Sequence, residues 1–217
     1  MAKSFLDILQ IVKVFKHVRS TGLNAISFPG DIYIFGVWSG MSTKFISDWL
    51  NFKNIDYHRI YGFDSFIGFP EEKNYKYNQV FKKGGYSSED LYGKSTDEII
   101  KDMEENIANK RLKFIPGFYS EVLNKKFKKD NNLKVAAYID IDVDLYSSTK
   151  DILEFMFENR LIARGTVIYF DDWGASEEYV SGESLAWKKA TEKYNVKYRQ
   201  ICSYGTKPSI QKVFIIE

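Results

Sequence analysis

Three aspartates occupy alternating positions at the end of the segment VAAYIDIDVD, which covers Val135–Asp144. They are Asp140, Asp142 and Asp144. The apolar residues before them show no alternating polar face, which is typical of a strand covered by helices on both sides. Burying a carboxylate is unfavourable unless it is paired or binds a metal ion. The three aspartates therefore predict a functional site rather than a purely structural strand.

A second apolar segment, GTVIYF at Gly165–Phe170, leads directly into Asp171 and Asp172. Ligands of open α/β sheets bind outside the carboxyl ends of the strands. Two neighbouring strands that end in IDVD and FDD would direct several carboxylate oxygens to one point. Such oxygens are the ligands that Mg²⁺ prefers, so the sequence predicts a magnesium site there.

A structural role for some of these aspartates is the alternative. Aspartate is a preferred helix-capping residue. Asp144 could therefore serve merely as a cap of the turn or of the helix beginning near Ser147, and Asp171 with Asp172 could likewise be merely a helix cap. The alternation of a strand nevertheless places Asp140, Asp142 and Asp144 on one face. Like charges repel unless a cation or hydrogen-bond donors intervene, which favours a chemical role for Asp142.

A strand–turn–helix unit lies near the start of the chain, where DIYIFGV leads through WSGMS into a helix. The spacing Gly36-x-x-x-Gly40 allows close backbone approach to a ligand, and the helix amino terminus offers N–H groups to an anion. The next strand ends in Asp64, 24 residues after Gly40 (64 − 40). About 20 residues are expected before an acid that binds ribose hydroxyls. The glycine turn and Asp64 together predict a nucleoside-bearing cofactor. The alternative is that the glycines only form a tight structural turn.

The remaining segments complete an alternating β/α chain. Phe5–Val18 predicts an amphipathic helix, too short and too charged to span a membrane, and Thr21–Gly30 predicts a loop. The polar residues 71–94 predict a lid, with a disordered insertion as the alternative. Ser95-x-x-Glu98 predicts a capping box that opens a helix. The last two strands are joined by Gly205–Ser209, which is too short for a crossover, so we expect them to be antiparallel.

Composition excludes several classes of protein. The 217 residues suit one α/β domain, and the 44% apolar and 28% charged residues are ordinary for a globular protein. Basic residues form no stripe typical of nucleic-acid binding, and the net charge is only +2. A single cysteine, Cys202, excludes an internal disulfide framework and favours the reducing cytoplasm.

Four motifs carry a resemblance to a known family. They are FGVWSGMS (35–42), FDSFIGFP (63–70), IDVDLYSSTKDILEF (141–155) and GTVIYFDDW (165–173). Together they resemble the macrocin O-methyltransferase (TylF/MycF) family, whose substrates are mostly sugars. The resemblance implies a Rossmann-like class I methyltransferase fold. That fold has a seven-stranded, mostly parallel sheet with an antiparallel last strand and helices on both faces.

The family also implies roles for individual residues. Asp142, Asp171 and Asp172 match the positions that bind Mg²⁺, and Asp142 also matches the proposed general base. The positions that match S-adenosylmethionine-binding residues are Gly36, Val37, Trp38, Gly40, Ser42, Asp64, Ser65, Phe66, Gly117 and Phe118.

One position departs from the family pattern. The family usually carries an acid at or beside Ile34, where it helps to hold the amino group of the cofactor. Asp140, which is often a histidine in relatives, could take over this ammonium contact. We therefore add Asp140 to the expected cofactor-binding residues.

The sequence thus predicts a Mg²⁺-assisted methyl transfer from S-adenosylmethionine to a hydroxyl of a sugar-like small molecule. A phenolic or catechol-like acceptor would need the same residues. An oxidoreductase with a nucleotide cofactor and a non-catalytic S-adenosylmethionine-binding module are further alternatives. The strand-end aspartates argue against both. Relatives imply a homodimer or a larger assembly.

Overall fold

The computed structural model describes residues 16–71, 81–174, 182–206 and 209–217. Within them, one seven-stranded sheet has the strand order β3-β2-β1-β4-β5-β7-β6. β1 to β5 are parallel, and β7 runs antiparallel to both of its neighbours. The predicted sheet, including its antiparallel last strand, is confirmed. The strands are β1 (Asp31–Phe35), β2 (Ile60–Asp64), β3 (Leu112–Pro116), β4 (Ala136–Ile141), β5 (Val167–Phe170), β6 (Tyr198–Thr206) and β7 (Ser209–Ile216).

Eight helices are described, and none has the length and apolarity needed to cross a membrane. The predicted capping box opens α4, where the Ser95 backbone N–H donates to Glu98 Oε2 at 3.0 Å. The helices are α1 (16–24), α2 (Met41–Phe52), α3 (Ser88–Tyr92), α4 (Thr96–Ile107), α5 (Tyr119–Val122), α6 (Lys125–Asp130), α7 (Tyr146–Glu158) and α8 (Glu183–Lys193).

The sheet is buried on both faces, which explains why its central strands lack a polar side. On one face Tyr33 and Phe35 of β1 pack in a core that includes residues of α7 and α8. On the other face Ile32 and Ile34 pack in a core that includes residues of α1 and α2. The helices therefore cover the sheet and leave the carboxyl ends of the parallel strands as the edge where a site can form.

The predicted loop Thr21–Gly30 is partly wrong, because α1 continues through residue 24. Gly22 is buried, and a Cβ atom added there would lie 3.0 Å from Tyr138 Cε2 and 3.2 Å from Val213 Cγ1. This glycine lets the helix lie close to the sheet instead of ending it.

Three predicted segments fall partly or mostly outside the described residues. Most of the predicted helix over Phe5–Val18 lies there. Residues 72–80 of the predicted lid and residues 207–208 of the last connection lie there as well. The described part of the lid segment contains α3.

Substitution of Trp187 tests how much the packing of α8 contributes to the stability of the protein. Its side chain is 1% exposed and its ring lies 5.4 Å from that of Phe170 and 5.6 Å from that of Phe214, centroid to centroid. We expect Trp187→Ala to lower the free energy of unfolding by about 3–5 kcal/mol, measured by urea denaturation. Phe52→Ala is the control, because Phe52 is 73% exposed. Equal effects of the two substitutions would contradict this packing.

Candidate active site

A cavity of about 620 Å³ opens at the carboxyl ends of the five parallel strands. Its lining comes from the segments that follow β1 to β5, as expected for an open α/β sheet. It brings together most of the residues singled out from the sequence. These are Gly36, Val37, Trp38, Ser42, Asp64, Ser65, Gly117, Phe118, Asp142, Asp171 and Asp172.

The turn between β1 and α2 passes very close to the end of β4. Gly36 has a φ of 89°, and a Cβ atom added there would lie 1.8 Å from the backbone oxygen of Asp142. A side chain at Gly36 would therefore force the two strand ends apart. α2 begins at Met41 without an acidic residue in its first turn, so its amino terminus favours an anionic group.

Asp64 organises the loops on either side of the proposed nucleoside site. Its Oδ2 accepts the Trp38 backbone N–H at 2.8 Å, and its Oδ1 accepts the Phe66 backbone N–H at 2.7 Å. Burial raises the pKa of Asp64, and these backbone N–H groups oppose the shift. The carboxylate thus lies in the cavity in a fixed orientation, and its remaining lone pairs can accept hydroxyl groups.

Three predicted cofactor residues do not line the described cavity. Gly40 has a φ of 77° and lies against Met103, so it shapes the turn. Phe66 is fully buried and packs edge-on against Phe114, and its expected place beside adenosine stays a prediction. Asp140 is also fully buried, and its carboxylate bonds to other protein groups.

The apolar Ile34 raises the question of whether Asp140 could hold the amino group of the cofactor. The two residues are register partners in neighbouring strands, and both are fully buried. Asp140 accepts hydrogen bonds from Arg19 Nε at 3.0 Å and from the Tyr138 hydroxyl at 2.9 Å. These contacts occupy the Asp140 carboxylate with protein donors, and its expected contact with the cofactor's ammonium group stays a prediction.

Asp142, Asp171 and Asp172 form a carboxylate cluster. One oxygen of each lies within 4.8 Å of the others. Burial and the charge of Asp171 raise the pKa of Asp142 well above its usual value, and Arg19 opposes this shift. The set consists entirely of hard oxygen donors, and a divalent cation would offset their repulsion, so the residues fit Mg²⁺.

Asp144 belongs to the same cavity and does not cap α7, whose N-cap is Leu145. Its side chain hydrogen-bonds with Asp172, and burial together with Asp142 raises the pKa of Asp144 to about 7. The capping interpretation is therefore wrong. The neighbouring aromatic residues Tyr146 and Trp173 are partly buried and pack against the core.

Glu183 is a site residue that sequence reasoning missed. It is fully buried at the start of α8. Its Oε1 accepts the Val143 backbone N–H at 3.1 Å, and its Oε2 accepts the Asp172 backbone N–H at 3.0 Å. One side chain thereby joins the loops after β4 and β5. An acid in the first turn of a helix is common, so its local sequence gives no signal of this role.

Arg19 is the second residue that was missed. It is fully buried in α1, and its guanidinium group pairs with Asp140 and contacts Asp142 and Asp171. The only available signal was indirect, because a buried Asp140 requires a partner. Nothing in the local sequence of α1 identifies Arg19 as that partner.

Comparison with known proteins agrees with this architecture. The sequence profile of the macrocin-O-methyltransferase (TylF) family matches residues 11–197. No curated protein sequence matches the chain.

Solved structures share the fold at low sequence identity. The O-methyltransferase NovP has a TM-score of 0.65 and 19% identity, covering 98% of this chain and 82% of NovP. The calicheamicin methyltransferase CalS11 has a TM-score of 0.63 and 20% identity, covering 96% of this chain and 80% of CalS11. An O-methyltransferase from Bacillus cereus has a TM-score of 0.55 and 14% identity, covering 100% of this chain and 91% of that protein.

Asp64→Asn tests the proposed nucleoside site. The substitution places an amide N–H group against one of the two backbone N–H groups and removes the negative charge. A hydrogen bond to a charged group contributes about 1.5–3 kcal/mol, so we expect S-adenosylhomocysteine to bind about 10–100-fold more weakly in calorimetric titration. Asp48→Asn on the exposed side of α2 is the control. Unchanged affinity in Asp64→Asn would place the ribose elsewhere.

Proposed function

This chain belongs to the macrocin O-methyltransferase (TylF) family of S-adenosylmethionine-dependent enzymes, and we propose that it methylates a sugar hydroxyl with the assistance of Mg²⁺. The acceptor would be a free sugar, a nucleotide-linked sugar or a glycosylated small molecule. The single observation that carries the proposal is the proximity of two sites in one cavity. The glycine turn and Asp64 lie beside the carboxylate cluster.

The cofactor side of the cavity supports binding of S-adenosylmethionine. Gly36 allows close approach of the backbone, and the amino terminus of α2 suits the carboxylate of the methionine portion. Asp64 would accept the ribose hydroxyls. Gly117 and Phe118, which follow β3, line the same cavity and would lie near the adenine.

The carboxylate cluster would hold Mg²⁺ through Asp142, Asp171 and Asp172. When bound, the ion would lower the pKa of the acceptor hydroxyl and orient it. An aliphatic hydroxyl is a very weak acid, so a carboxylate alone would be a poor base for it. Asp142 would take the hydroxyl proton, because it follows β4 and lines the cavity beside the glycine turn.

The reaction is an in-line displacement that balances without a further reactant. The acceptor oxygen forms a bond to the methyl carbon while the bond from the sulfonium to that carbon breaks. The hydroxyl proton passes to the carboxylate of Asp142, and the products are a methyl ether and S-adenosylhomocysteine. The residues lining the cavity would hold the reactants in line, and such positioning supplies up to about 7–11 kcal/mol in favourable model systems.

The activity of one structural relative, CalS11, supports a sugar acceptor. CalS11 is described as a TDP-rhamnose 3′-O-methyltransferase and as a calicheamicin methyltransferase. By family analogy, the acceptor of this chain would bind over the carboxylate cluster, next to the methyl group that is transferred.

Asp142→Asn tests the proposed chemistry. We expect it to leave S-adenosylhomocysteine affinity unchanged and to lower turnover by about 10²–10⁴-fold, because the proton acceptor is lost. Turnover is measured as S-adenosylhomocysteine release with TDP-sugars, methyl glycosides and catechol, each with Mg²⁺ and with EDTA. The exposed Asp130→Asn is the matched control.

The same assay separates the acceptor classes. Normal turnover by Asp142→Asn would remove this residue from the base role. Methylation of catechol without methylation of any sugar would contradict the sugar proposal. Turnover that is unaffected by EDTA would contradict the proposed assistance by Mg²⁺.

A further inference from the structure

Arg19 is a buried cation beside the carboxylate cluster. It lies in α1, its side chain is fully buried, and its guanidinium carbon lies 4.3 Å from the ring centroid of Tyr169. Its Nε donates to Asp140 Oδ2 at 3.0 Å, and its Nη2 donates to Asp140 Oδ1 at 3.2 Å. This fork-shaped pairing fixes the plane of the guanidinium group.

The same guanidinium group extends past Asp140 to the cluster. Nη2 donates to Asp142 Oδ2 at 2.9 Å, and Nη1 forms an ion pair with Asp171 Oδ1 at 3.3 Å without hydrogen-bond geometry. Asp142 follows β4 and Asp171 follows β5, so Arg19 connects the ends of two strands. The contacts with the cluster exceed what is needed to neutralise Asp140 alone.

Contacts with Arg19 and with neighbouring side chains divide the oxygens of Asp142 and Asp171 into two sets. Asp171 Oδ1 also accepts hydrogen bonds from the Tyr169 hydroxyl and, at 3.0 Å, from Gln211 Nε2. Protein donors therefore hold Oδ1 of Asp171 and Oδ2 of Asp142. Both residues line the cavity, so the second oxygen of each would be the one that meets a ligand there.

We propose that Arg19 is a positioning residue that holds one oxygen each of Asp142 and Asp171 so that the other oxygen is directed to the metal ion. This inference rests on the proposed Mg²⁺ site. Groups that orient metal ligands in this way typically change metal affinity by about 10–100-fold when they are removed. Arginine suits the role because its planar fork contacts several carboxylates at once, whereas lysine provides a single ammonium group.

Two variants of Arg19 test the proposal. Arg19→Lys keeps the positive charge but removes the fork. The double variant Arg19→Met with Asp140→Leu removes the buried pair together, so that no uncompensated buried charge prevents folding. Exposed Arg164→Met is the control.

The measurement is calorimetric titration of each protein with MgCl₂ and MnCl₂, with and without S-adenosylhomocysteine. We expect both Arg19 variants to bind the ions about 10–100-fold more weakly than the wild type and to retain wild-type S-adenosylhomocysteine affinity. A purely structural role would weaken S-adenosylhomocysteine binding as well, and a role as a simple counter-charge would leave Arg19→Lys unchanged.

The outcomes separate this inference from the proposed function. Equal or tighter ion binding by the variants would overturn the role of Arg19 while the metal site stands. A wild-type protein that binds S-adenosylhomocysteine but neither ion would overturn both the Mg²⁺ site and the role of Arg19. Failure to bind S-adenosylhomocysteine would contradict the proposed function, and the ion titrations without it would still decide the role of Arg19.

Discussion

Repulsion among carboxylates gathered at the ends of β4 and β5 is the constraint on which this site depends. Two like unit charges about 4 Å apart repel by about 4 kcal/mol at an effective dielectric constant near 20. That is a large part of the roughly 5–15 kcal/mol by which native proteins are stable. A buried cation offsets part of this repulsion, because Arg19 pairs with Asp140 and contacts Asp142 and Asp171. A divalent cation would supply further compensation.

The sheet topology explains why these carboxylates lie beside the proposed cofactor site. β1 and β4 are neighbours in the sheet, and the strand order reverses between them, which is where ligands of open α/β sheets bind. Gly36 brings the end of β1 against the backbone of Asp142. The proposed methyl donor and the proposed base thus lie on adjacent strands, and Glu183 holds the loop after β5 beside them.

Features encoded within short segments could be predicted from the sequence. Local rules predict three features that the described structure contains. They are the strand ends at Asp142 and Asp171, the glycine turn, and the capping box at Ser95. Arg19 could not be predicted, because it meets Asp140 across 121 positions of the chain. Burial of Phe66 likewise depends on packing against β3, which no local pattern reveals.

The most direct test of the central claim is a crystal structure with S-adenosylhomocysteine and Mn²⁺, in which anomalous scattering locates the ion. The account predicts an anomalous peak about 2.0–2.6 Å from oxygens of Asp142, Asp171 and Asp172. It also predicts that the ribose hydroxyls lie within hydrogen-bonding distance of Asp64. An ion at another place, or a ribose away from Asp64, would contradict the account.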